Sequence, residues 1–218
     1  MKIREYQLAE LDEARRLQDE LAKLHVPSPV LSWRYEITDE NGEVTERGIG
    51  KSNSYTRNTL NALAYYVGFA DYHIASATIF ADGSLSKKII NGTISTINVE
   101  SSYSAMRQYN ANPSLRVGIN AAEESLDSYA AITSGLTIGG QSVSSTFNTS
   151  TRKLITIISG SFYNETAAEI DIVESGVQMV GYNGVTHLAL RDVFSPIAVA
   201  PGATLNWTYV TEIAYPNP

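Results

Sequence analysis

The first 24 residues repeat apolar side chains at the period of a helix. Ile3, Tyr6, Leu11, Ala14, Leu17, Leu21 and Leu24 fall within one face. Charged residues of both signs, among them Arg4, Glu5, Asp12, Glu13, Arg15, Arg16, Asp19 and Lys23, fill most of the remainder. Glu10 interrupts the apolar side and Leu8 lies off it. The pattern predicts an amphipathic helix over 3–24. Pro27 and Pro29 stop it, because proline cannot continue a helix and pushes its predecessor toward extended backbone. Such a helix either packs on its own domain or reaches a neighbouring subunit. The V-P-S-P hinge favours the second use, which makes residues 1–29 an arm and residues 30–218 the body.

Beyond the hinge the period changes from helical to alternating. Val30 to Ile37 is rich in strand formers, and Asp39-Glu40-Asn41-Gly42 supplies a turn, so residues 30–49 predict a hairpin. Leu60, Leu63, Ala64 and Val67 share a helical face, which predicts a second helix over 53–67, capped by Asn53 or Ser54 and ended by Gly68. From residue 72 onward, Asp82-Gly83, Asn91-Gly92, Gly139-Gly140 and Asn183-Gly184 read as turns between runs of Ile, Val, Thr and Tyr. Strands are expected at 153–163, 169–177, 186–194 and 204–213, with a polar bend at Asn164-Glu165-Thr166. Pro196 and Pro201-Gly202 separate the last two. No βα alternation of the parallel-sheet kind is visible. The fold class expected is mainly β: an antiparallel β-sandwich or jelly-roll-like body with an N-terminal amphipathic helix and one further short helix.

Composition narrows what such a body does. Only 18% of residues are charged against 43% hydrophobic, a low charge fraction that suits a surface covered by neighbours as well as an ordinary β-sandwich. The formal net charge of −7, with no basic stripe, argues against direct nucleic-acid binding, which needs clustered Lys and Arg. No cysteine is present, which removes disulfide scaffolds, thiolate metal sites and Cys nucleophiles. The start has no apolar signal core and no stretch matches a membrane helix, so a cytoplasmically made, non-membrane protein is expected.

Candidate chemistry is sparse. Gly48-Ile49-Gly50-Lys51-Ser52 resembles part of a phosphate loop, but Thr45 stands where the first glycine belongs and a hairpin precedes it. His25, His73 and His187 are scattered, without metal-ligand spacing. Glu169 and Asp171 share a strand face and Glu174 follows; carboxylates so placed serve a glycosidase or calcium site, but more often form the solvated face of an edge strand. Tyrosine, with 13 copies, is the enriched type, and Tyr65, Tyr66 and Tyr72 lie in its densest stretch. It supplies contact area with a polar tip, at protein interfaces or on a sugar-binding surface.

The stretch 155–209 carries recognisable phrases. Ile155 to Thr166 is a strand with a polar turn, and Glu169 to Gly176 a second strand leading to glycine. Leu188-Ala189-Leu190-Arg191-Asp192-Val193-Phe194-Ser195-Pro196 is an L-x-R-D-V-x-S-P phrase, and Val199 to Tyr209 reads V-x-P-G-x-x-L-x-W-x-Y. Upstream, Gly50 to Asn58 and Arg116-Val117-Gly118 add two shorter pieces. Together these resemble the β module of tailed-bacteriophage virion structural proteins, loosely over residues 50–214. The resemblance implies a virion-associated protein and brings no catalytic motif; it does not extend to the N-terminal helix or to residues 84–112.

The expectation is therefore a non-enzymatic structural component of a phage virion (neck, collar, tail or head surface), without cofactor or metal. It self-associates and binds adjacent virion proteins. Candidate interface residues are Ile3, Leu11, Leu17, Leu21, Leu24, Tyr65, Tyr66 and Tyr72, and Arg191 with Asp192 is a candidate structural pair. The alternatives are a receptor- or glycan-binding module of a tail or head fibre, marked by an exposed aromatic patch, and a glycan hydrolase, marked by a cleft with two facing carboxylates.

Overall fold

The hairpin expected near residue 30 forms and lies within the larger sheet of the computed structural model, which describes residues 1–52, 78–79, 85–86, 114–119, 134–180 and 186–215. Its strands are β2 (Ser28–Thr38) and β3 (Val44–Lys51). Asp39 builds the turn: its Oδ1 accepts from the backbone N–H groups of Asn41 and Glu43, and Gly42 takes the positive φ of 81°. The remaining described elements are β1 (Lys2–Tyr6), α1 (Leu8–Lys23), β4 (Thr78–Ile79), β5 (Leu85–Ser86), β6 (Ser114–Gly118), β7 (Thr137–Asn148), β8 (Lys153–Tyr163), β9 (Ile170–Val180), β10 (Thr186–Val199) and β11 (Thr204–Ala214). The chain is mainly β with an N-terminal helix, as its pattern predicts. The second helix expected over 53–67, and the turns at 82–83, 91–92 and 183–184, lie outside the described residues.

The strands form a six-stranded sheet in the order β1-β3-β2-β11-β8-β7, a three-stranded sheet β10-β9-β6, and the short pair β4-β5. The chain divides into two units, and the division falls inside β9 and β10. One unit is Met1–Asn53, Gly135–Asp171 and Ile197–Pro218, with the six-stranded sheet; the other is Ser54–Ser134 and Ile172–Pro196.

In the first unit, alternation along β2 and β11 sends Trp33, Tyr35, Ile37, Leu205, Trp207 and Tyr209 to one face, where all are buried. Trp207 stacks on Tyr35 at 5.6 Å between centroids and on Trp33 at 5.0 Å. Gly48 and Gly50 of β3 sit opposite Tyr35 and Trp33 in the register. A Cβ at either glycine would fall inside the facing ring, so their bare backbone is what lets the two rings lie across β3. Tyr6 of β1 then packs on Trp33 at 5.1 Å. The glycines that resemble a phosphate loop are thus strand residues that accommodate aromatic rings.

The N-terminal expectation needs correction in three respects. Residues 2–6 are not helical: β1 pairs in parallel with β3, Lys2 opposite Glu46 through Tyr6 opposite Gly50. Gln7, at φ 50°, breaks the chain into the helix. The helix does not reach outward either. It packs on β2, β3 and β11 of its own sheet, on the face opposite the aromatic rings, where Val30 and Ser32 are buried. Gln18, fully buried, donates from Nε2 to the carbonyls of Ser28 and Glu212, both at 2.7 Å. Arg15 pairs with Glu212 at 2.8 Å and Lys153 with Asp19 at 3.0 Å. Residues 1–29 are therefore part of the first unit and not a separate arm. Finally, the helix ends before the prolines act: His25 takes a left-handed φ of 62°, with Val26 N–H bonded to Leu21 O and His25 N–H to Ala22 O.

Two further corrections concern the C-terminal strands. Gly139-Gly140 is a bulge inside β7 and not a turn: Ile138 faces Phe162 while Gln141 faces Gly160, one residue extra on β7. Pro196 does not end a strand, since β10 runs through it to Val199. β10 is an edge of the described three-stranded sheet, the setting in which a residue without an N–H is tolerated.

The polar bend at 164–166 is a junction. Asn164 is fully buried, and its Nδ2 donates to Ala168 O and Val199 O while its Oδ1 accepts from Thr166 N and Oγ1. Its backbone bonds to Ala203 and Gly202 of the β10–β11 turn. Both polar atoms of the buried side chain are thereby satisfied.

Alanine at Gly50 forces its methyl into the Trp33 ring, and the expected cost is about 2–3 kcal/mol in denaturant unfolding. Alanine at Gly140, where a Cβ meets nothing within 4 Å, is expected to change stability by less than about 0.5 kcal/mol.

Candidate interface

The helix distributes its apolar residues unevenly. Leu11 and Gln18 are buried, and Leu8, Ala14, Arg15, Leu21 and Ala22 are half-buried beside them. At about 100° per residue, Leu11 and Gln18 lie roughly 20° apart around the axis, whereas Leu17 is turned about 120° from Leu11. The face against the sheet carries Leu8, Leu11, Ala14, Leu21 and Ala22 beside the polar Arg15 and Gln18. Leu17 and Leu24 stay on an outer flank, 52% and 71% exposed, with Val26 at 46% just beyond the helix.

The sequence candidates separate accordingly. Leu11 is a core residue of the first unit. Leu17, Leu21 and Leu24 share the outer flank, Leu21 half-covered. Ile3 is exposed, but on β1 and not on a helix. Tyr65, Tyr66 and Tyr72 lie outside the described residues. Among the described tyrosines, Tyr35 and Tyr209 are core, and Tyr163 and Tyr215 are partly exposed.

Arg191 and Asp192 are both buried. Neighbours on a strand point to opposite faces. Arg191 Nε donates to Glu174 Oε2 of β9 at 2.8 Å, and both side chains are almost fully enclosed. Glu174 is thus not on a solvated edge: β9 is the middle strand of β10-β9-β6. Glu169 and Asp171, at the start of the same strand, are exposed. Sequence alternation had no means of choosing Glu174 as the partner, because the β9–β10 register sets it.

A second enclosed polar group lies in the first unit. Tyr35 donates its phenol to Glu46 Oε1 at 2.5 Å, and Glu46 also receives Arg4 at 2.8 Å and Lys2 at 3.5 Å. Burial, reinforced by the hydrogen bond to the Glu46 carboxylate, holds the Tyr35 phenol far above its ordinary range.

A further open surface is one that sequence reading missed. All twelve residues of β7 are exposed. Among the described residues, no strand lies against β7 on the side away from β8. Ile138, Val143 and Phe147 are 42–46% exposed, and Phe147 meets Tyr215 edge-on at 5.7 Å. The run Ser142 to Asn148 has too few apolar residues to announce itself, and Gly139-Gly140 in front of it looked like a turn. Its lack of any charge was the available signal.

Among the described residues, no group of three or more His, Asp or Glu is placed to hold a metal ion, and no helix is long and apolar enough to cross a membrane. No family model, curated protein or solved structure matches the chain.

Removing one member of the buried ion pair takes a charged hydrogen-bond partner from the other. Arg191→Met is expected to cost about 3–5 kcal/mol in chemical unfolding, and adding Glu174→Leu to recover most of that loss. The Tyr35 phenol adds a pH dependence. Above the ordinary phenol pKa of about 10, the unfolded chain loses a proton that the folded chain keeps, so stability falls as pH rises. Tyr35→Phe is expected to flatten that slope in unfolding measured between about pH 9 and 11.

Proposed function

We propose that the protein is a non-enzymatic structural component of a tailed-bacteriophage virion, present in many copies, that binds identical subunits and adjacent virion proteins. The observation that carries the reading is apolar surface left open on two elements of one unit. The α1 flank bears Leu17, Leu24 and Val26, and β7 bears Ile138, Val143 and Phe147. Grouped exposed apolar residues mark association surfaces, whereas scattered ones do not.

The residues of the phage-like phrases give further support. Val199, Leu205, Trp207 and Tyr209 are core side chains, and Arg191 is enclosed with Glu174. A motif made of core positions specifies a fold and performs no reaction. The glycan-binding alternative draws less support, because Trp33, Tyr35, Trp207 and Tyr209 spend their faces on one another in the interior.

Quantitative mass spectrometry of purified particles from the phage that encodes this chain is the test. The expected result is the chain at many copies per particle, retained through gradient purification. Its absence from particles would eliminate the virion reading.

A further inference from the structure

The two edges of the six-stranded sheet are built differently. β1 is five residues long and carries Lys2, Arg4 and Glu5. Short length and charge are the usual means by which an edge discourages pairing with another chain. β7 has twelve residues and, from Thr137 to Asn148, no charged residue and no proline. The bulge at Gly139-Gly140 confines the regular part to Gln141–Asn148. An edge of this kind offers a row of backbone donors and acceptors to a further strand.

We infer that residues 142–148 of β7 pair antiparallel with the same residues of a second copy, joining two six-stranded sheets about a two-fold axis. The inference rests on the self-associating reading above and adds its site and register. The occupant follows from charge and from side-chain order. Each copy carries a net charge of −7, so copies repel except where the approaching surfaces are neutral, and β7 is neutral along its whole length. A two-fold axis at Ser145 sets Val143 opposite Phe147 of the other copy, and Phe147 opposite its Val143. Alternation puts these apolar pairs on one face of the joined sheet. It places Ser144 opposite Thr146 and Ser142 opposite Asn148 on the other. The strand is self-complementary in that register: apolar meets apolar, and polar meets polar. Both apolar residues are 46% exposed in the single chain and gain cover by pairing.

The native chain has no cysteine, so one introduced thiol reports one position. At the two-fold axis, Ser145→Cys faces its own copy and is expected to form a disulfide-linked dimer in high yield under mild oxidation. Ser142→Cys is the control: in this register the two thiols are about six residues apart along the strand, roughly 20 Å, and stay unlinked. Light scattering on the full chain is expected to give twice the monomer mass. Ser144→Lys, which sets a charge on each side of the axis without touching the core, is expected to return the mass to that of the monomer. Circular dichroism and thermal unfolding of each variant confirm that it is folded.

A wild-type chain that stays monomeric at high concentration overturns the pairing. So does a dimer that Ser144→Lys leaves intact, or one that links at Ser142→Cys and not at Ser145→Cys. The virion reading fails separately. A β7-paired dimer that is absent from particles sinks that reading and leaves the edge pairing standing. A chain found in particles that stays monomeric in solution does the reverse.

Discussion

The first unit depends on aromatic rings laid flat across a strand that has no side chains to obstruct them. Trp33, Tyr35 and Trp207 stack between β2 and β11, and Gly48 and Gly50 leave room for the rings over β3. Each ring buries a large apolar area, and stacking adds about 0.5–1.5 kcal/mol per pair beyond burial. Because the rings reach across β3, β1 can add beyond it: Tyr6 closes on Trp33, and Arg4 and Lys2 meet Glu46. With that face filled by rings, α1 takes the opposite face, over Val30 and Ser32, tied by Gln18, Arg15 and Asp19. Alanine in place of either glycine would displace a ring and, through it, the first strand.

Much of this was legible in the sequence where alternation and turn chemistry agree. The β2–β3 hairpin, β8 and β11 fall where predicted because apolar residues alternate between clear turn residues. The helix was legible as a helix but not in its phase. Leu17, Leu21 and Leu24 outweigh Gln18, Ala22 and Arg15 on any hydrophobic count, yet the inner line runs through Gln18. Its amide donates to two strand-end carbonyls, a contact that no apolar residue could make. Lys2 to Tyr6 read as helical because they continue the charged amphipathic rhythm; only their parallel partner in β3 makes them a strand. Partners set by register, such as Glu174 for Arg191, are invisible to local pattern altogether.

The exposed apolar surfaces are those where local grammar and tertiary packing part company. Exposed leucines on the outer flank of the helix and a long neutral edge strand are both features that favour association. Both occur in the same unit, while the chain's other edge is short and charged. Val199, Leu205, Trp207 and Tyr209 are interior side chains that set the shape of the first unit.

Amide hydrogen exchange followed at two protein concentrations tests the central claim most directly. The amides of residues 142–148 that point away from β8 are expected to exchange quickly in dilute solution and to become protected as concentration rises, while β1 does not change. Exchange across β7 that is indifferent to concentration, and to incorporation into an assembly, would contradict the claim that this edge is made to be covered.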